Sequence, residues 1–159
     1  MRSNAATALL ALVSTVLLGG AVPDAQTYVV QLTGEAEIFG AASTGGDEDG
    51  SGLVRLTVDP DDRRICYDFK LAGLATPLMA HIHRAPATNI GPSVVTLFTG
   101  PVDDLRACRT WTEERLAEIV EDPSNFYVNV YTTEYPDGAL RGRGDRRATA
   151  DQPEEARGR

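Results

Sequence analysis

Histidine is almost missing from this chain of 159 residues: there are two, His81 and His83, one residue apart. A centre assembled from three or more imidazoles cannot be built from it, so any metal site must draw on other donors. Cysteine is as scarce, Cys66 and Cys108 alone, with no Cys-x-x-Cys pair for zinc or thiol exchange. No Gly-x-Ser-x-Gly elbow and no glycine-rich phosphate loop occur, which leaves nucleophilic hydrolysis and nucleotide chemistry without their usual motifs. The longest apolar run, Ala5 to Leu18, falls short of the roughly 18 to 20 residues that cross a bilayer. Basic residues number 15 against 23 acidic ones, a formal net charge of -8, so nucleic acid is not an expected partner.

What is present points outward from the cell. Arg2, the apolar run, then Gly19, Gly20 and Ala21 follow the layout of a secretory signal peptide over residues 1–21, with cleavage expected after Ala21 or Ala25. No cysteine stands there to carry a lipid, and no transmembrane anchor is expected after cleavage; the product would be secreted or held in the cell envelope. The remainder is about one domain in size. In an oxidising compartment Cys66 and Cys108 are expected to form a structural disulfide, worth about 3 to 4 kcal/mol in the chain-entropy model for a loop of about forty residues.

Past the signal, alternation dominates. YVVQLTG from Tyr28 reads as a strand, and GLVRLTVD from Gly52 puts Val54, Leu56 and Val58 on one face and Arg55 and Thr57 on the other. RRICYDFKL returns after the polar turn Asp59 to Asp62, which predicts a hairpin. LMAHIH, SVVTLFTG, NFYVNVYTT and a short ALRG follow. One helix interrupts them, with a capping box expected from Thr110 and Glu113 and an apolar stripe of Leu116, Ile119 and Val120 before Pro123. Six or seven short strands with one short helix predict an all-β, antiparallel β-sandwich or barrel. Residues 145–159 are charged, lack large apolar side chains and are expected to be a disordered tail.

LTGEAE, GSGLVRLTVD, the cysteine of RRICYDF, AHIH with GPSVVTLF, and NFYVNVYTTEYPDGALRG occur in an order that resembles the CHRD domain, named after chordin. The resemblance spans about Tyr28 to Gly144, within a domain placed at residues 26–144. It implies a secreted Greek-key sandwich, similar to an immunoglobulin or Cu/Zn superoxide dismutase fold, without established enzymatic activity. Asn129, Gly138, Arg141 and Gly142 match the family pattern. Tyr131 stands where members commonly carry histidine, and Arg84 where glycine often follows HIH.

Two readings of the chemistry follow. The first is a non-enzymatic binding or scaffold module using loops at one end of the fold, its partner an extracellular protein or surface ligand. The second is a copper or other transition-metal protein. Met79, His81 and His83 share one strand face, imidazole suits copper and zinc, and a thioether favours cuprous copper; Tyr131 is a further candidate donor. The dismutase copper site also contains a His-x-His strand, but its donor set requires more imidazoles than this chain has. On the alternative reading, the imidazoles fasten their strand to YVNVYT or to the following loop. Arg141 is read as a structural cation bridging carbonyls or a carboxylate, with anion recognition as the alternative. Tyr127, Asn129, Tyr131 and Thr133 share a face that would form a binding surface if exposed. The acidic loop GGDEDGSG lacks the closing glutamate of a calcium loop and is read as solvated and flexible. The Glu and Asp doublets are read as solvated.

Overall fold

The alternation seen in the sequence becomes alternating burial along the first long strands of the fold. The computed structural model describes residues 22–39, 43–101 and 104–144; the expected signal segment 1–21 and tail 145–159 lie outside the described residues. In chain order the strands are β1 (Gln26–Thr33), β2 (Ile38–Phe39), β3 (Ser43–Thr44), β4 (Ser51–Asp59), β5 (Arg64–Ala72), β6 (Pro77–Arg84), β7 (Ser93–Thr99) and β8 (Arg106–Thr110). Helix α1 (Glu113–Glu121) and a 3-10 turn (Pro123–Asn125) precede β9 (Phe126–Thr132) and β10 (Leu140–Gly142).

Eight strands hydrogen-bond in one antiparallel sheet, ordered β7-β6-β9-β10-β1-β4-β5-β8, while β2 and β3 pair separately. A division into two sheets is not seen among the described residues, and the physical reason is β10. This three-residue strand pairs with β9 on one side and β1 on the other, joining what would otherwise be two sheets. The edge strands then approach each other, for Arg109 Nε of β8 donates to the Leu97 carbonyl of β7 at 3.0 Å. Tyr67 and Phe69 of β5 meet Phe98 of β7 at ring separations of 6.0 and 5.7 Å. The fold is thus an all-β antiparallel sheet, nearly barrel-like, with one short helix.

Inward-facing Val30, Leu32, Val54, Leu56, Val58, Ile65, Phe69, Ala80, Ile82, Leu97, Val128 and Val130 make the core, joined by Leu116 and Ile119 of α1. The helix cap lies at Thr112, whose side chain accepts from the Arg115 N–H, and not at Thr110, which β8 retains as a paired residue opposite Arg64. The expected hairpin forms between β4 and β5; at its turn Asp59 Oδ1 accepts from the Asp62 N–H at 3.0 Å.

Cys66 and Cys108 sit directly opposite each other on β5 and β8 and are joined by a disulfide across a sequence separation of 42. It fastens an edge strand whose one sheet neighbour among the described residues is β5. Reduction is therefore expected to lower unfolding free energy by about 3 to 4 kcal/mol. Urea unfolding with and without reductant measures this, and an unchanged midpoint would show that the bridge does not hold β8.

Candidate functional site

β9 is the strand on which the candidate residues converge, because β6 and β10 flank it. Tyr127 lies opposite His83, Asn129 opposite both His81 and Arg141, and Tyr131 opposite Met79. Strand alternation sends Val128 and Val130 into the core and Tyr127, Asn129 and Tyr131 to the outer face. An outer face of an antiparallel sheet ordinarily meets water. Here β9 is buried at every residue, so Tyr127, Asn129 and Tyr131 of the face expected to be a binding surface if exposed lie instead beneath loops, while Thr133, just past the strand, is exposed.

Hydrogen bonds link those side chains in series. His83 Nδ1 is 2.9 Å from the Gly91 carbonyl, which can only accept, so Nδ1 carries the proton. His83 Nε2 is 2.8 Å from the Tyr131 hydroxyl. Burial, reinforced by the Arg141 charge, holds the His83 pKa below its ordinary value despite the Gly91 bond; the neutral ring accepts the Tyr131 proton at Nε2. Asn129 Nδ2 donates to Tyr131 Oη and to Glu37 Oε1, each at 3.3 Å. Burial and the neighbouring Glu37 push the Tyr131 phenol up to about 12. Burial also raises the Glu37 carboxyl, against the Ile38 N–H, Arg141 and Asn129, which favour its charged form.

The loop from Ala85 to Pro92 is clamped over this face. Arg141 Nη2 donates to the Asn89 carbonyl at 2.7 Å, and Arg143 donates to the carbonyls of Pro86 and Ser124. Gly91 N–H donates to the Tyr127 hydroxyl at 3.3 Å. Tyr127 itself stacks with His83 at 4.9 Å, and the Arg141 guanidinium lies 3.7 Å from its ring centroid. Close approach requires glycine at several positions, two of them on the last strand and the turn before it. A side chain at Gly142 would stand 1.9 Å from the Gln31 carbonyl of β1, and one at Gly138, at φ +140°, would stand 2.6 Å from the Glu37 carboxyl carbon.

Between the loops remains a cleft of about 310 Å³ lined by Glu37, Ile38, His83, Ile90, Tyr127, Asn129, Tyr131 and Asp137. Glu37 and Asn129 are only 2% and 4% exposed, yet Glu37 Oε2 and Asn129 Oδ1 have no protein partner; Arg141 Nη1 nearby is also unpaired. Native proteins leave few such atoms, because each costs about 1 to 3 kcal/mol.

The sequence-level candidates therefore divide. His83, Tyr131, Asn129 and Arg141 come together, with Gly138 making room for Glu37. His81 is half-buried and packs 5.8 Å from His83 and 5.5 Å from Tyr131 by ring centroid; Met79 neighbours Tyr131 across β6 and β9. No group of three His, Cys, Asp or Glu side chains suited to a metal occurs among the described residues. In the acidic loop, Glu48 and Asp49 are exposed, but Asp47 is buried, its Oδ1 accepting from the Gly50 N–H at 3.1 Å and its N–H donating to Ala139. The solvated, flexible reading thus fails at Asp47. Sequence reasoning passed over Glu37, visible only as the last residue of LTGEAE, and over Ile38, Ile90 and Asp137, which carry no pattern.

Among known proteins, the CHRD domain model matches residues 28–143. No curated protein and no solved structure matches the chain.

Both histidines are held below their ordinary pKa of 6.5, His81 by burial and by His83. The unfolded chain therefore binds protons at these rings before the folded chain does, so their contribution to stability is complete above about pH 6.5 and is lost as pH falls below it. Glu37, with its carboxyl raised, acts in the opposite sense as pH rises from 4.5. Urea midpoints at about pH 7.5 and 5.5 are expected to differ less in His81→Gln/His83→Gln than in the native protein. Equal differences in the two proteins would refute the assignment.

Proposed function

Since the chain belongs to the CHRD-domain family, we propose that it is an exported, non-enzymatic binding module whose ligand sits in the cleft over the outer face of β9. The observation that carries this is the burial of that face beneath clamped loops with a polar cleft left between them. A purely structural sheet face could be covered by apolar packing at lower desolvation cost. Here the covering loops are held by arginine-to-carbonyl bonds, which set the cleft walls in advance of binding.

A binding role suits these groups better than acid–base chemistry. Both nitrogens of His83 are engaged, and Tyr131, at about 12, keeps its proton at neutral pH. Export is favoured by the signal-like start and by the closed Cys66–Cys108 bridge. No helix among the described residues is long and apolar enough to cross a membrane.

The second reading, a copper site, is favoured by one observation: the His81, His83 and Tyr131 rings form a triangle with centroid separations of 5.5 to 6.3 Å, beside Met79. The donor set fits copper less well than the ring positions do. His83 Nε2 would have to release the Tyr131 hydroxyl, and that phenol would enter as a neutral donor.

Two measurements test these proposals. Expressed from its full sequence in a bacterial host, the protein should be recovered from the exported fraction with its N-terminus at Val22 or Gln26; an intact Met1 on cytoplasmic protein would refute export. Cuprous and cupric titration of the mature protein should show weak binding at most, about 10 µM or weaker, corresponding to no more than about 7 kcal/mol. Much tighter binding that disappears in His81→Gln/His83→Gln would replace the ligand cleft with the copper reading.

A further inference from the structure

The walls of the cleft are unequal in what they offer a ligand. Glu37 Oε2 and Asn129 Oδ1 are acceptors without protein partners, on side chains more than nine-tenths buried, and both residues line the cleft. Asp137 adds a carboxylate at an exposed position of the same lining. No lysine or arginine lines it. The two nearby arginines lie outside the lining: Arg141 packs against the Tyr127 ring and donates Nη2 to the Asn89 carbonyl while its Nη1 stays buried and unpaired, and Arg143 donates to the Pro86 carbonyl of the covering loop. The Tyr131 proton is given to His83, which leaves Tyr131 Oη with only acceptor capacity toward the cleft. Ile38 and Ile90 supply the apolar part of the wall, and Ile90, at 54% exposed, is the one large hydrophobic residue in the open among the described residues.

We infer that the cleft takes a small organic cation with at least two N–H donors, a guanidinium, amidinium or primary ammonium group, seated on Glu37 and Asn129 with its apolar part against Ile38 and Ile90. This rests on the reading of the cleft as a ligand seat and gives that ligand its chemistry. The two orphaned acceptors are satisfied together by a planar or tripodal N–H donor, and the cation answers the lining carboxylates. An anion would meet Glu37 and Asp137 with no lining cation to pair it. A neutral amide would supply N–H donors, but its carbonyl would add an acceptor to an acceptor-rich wall. The net charge of -8 also draws cations toward the molecule as a whole.

The test is NMR titration of the mature, disulfide-closed protein with methylguanidinium, n-butylammonium, acetamide and acetate in parallel. The cations are expected to shift the side-chain signals of Asn129, Tyr131, Ile38 and Ile90, and Glu37→Gln is expected to remove the response. Because Glu37 is buried and its variant could unfold, a charge pair at exposed Ile90 gives an independent reading. Ile90→Lys should weaken cation binding about three-fold and Ile90→Glu should strengthen it about as much, as expected for one charge several ångströms away in a largely aqueous mouth. Shifts from acetamide or acetate but not from the cations would keep the cleft as a ligand seat and overturn the cation assignment. No shift from any of the four would mean that the orphaned atoms are served by water alone, overturning both readings. Equal cation affinity in the two Ile90 variants would also overturn the assignment.

Discussion

The hydrogen-bond series that runs from the Gly91 carbonyl through His83, Tyr131 and Asn129 to Glu37 is the interaction on which the outer half of the molecule depends. It ties three elements that are far apart in sequence, the loop after β6, the strand β9 and the segment after β1, into one polar layer. Each member fixes the next. A carbonyl that can only accept sets the His83 tautomer, the tautomer turns the Tyr131 proton inward, and the hydroxyl oxygen is left to receive Asn129. Burial keeps His83 neutral and Tyr131 protonated, which are the states the series requires.

Such a layer is costly to build. Burying a carboxyl, an amide, an imidazole and a guanidinium over one strand carries a desolvation penalty that hydrogen bonds offset only where partners exist. The core beneath supplies stability of the ordinary kind, with Val54, Val58, Ile65, Leu97, Leu116 and Val130 fully buried. Above β9 the compensation is incomplete at Glu37 Oε2, Asn129 Oδ1 and Arg141 Nη1. Among the described residues, the unpaired buried side-chain atoms all fall in this one cluster, which is why the proposed ligand is placed there.

Much of this was legible beforehand, and the rest was hidden for physical reasons. Period-two alternation exposed the six longer strands other than β8, since one face of each meets the core. It hid β8, where Arg106, Cys108, Arg109 and Thr110 give no apolar alternation and the disulfide takes the place of packing. The order of strands escaped because β10 is three residues long and its joining role is written in its partners β1 and β9. His83 as a fastener and Arg141 as a clamp on a carbonyl followed from donor chemistry alone. Glu37 did not, because an acid near a turn looks like any solvated acid until Gly138 and Asn129 close over it from about 90 to 100 residues away.

The central claim is that His83 serves as a neutral link in a fixed polar layer over β9. Nitrogen-15 NMR of its ring at neutral pH measures this directly. The account predicts a neutral imidazole protonated at Nδ1, with Nε2 shifted by the Tyr131 proton and returning toward the value of a free acceptor in Tyr131→Phe. A ring protonated at Nε2, or one that titrates at 6.5 or above like a free imidazole, would contradict it.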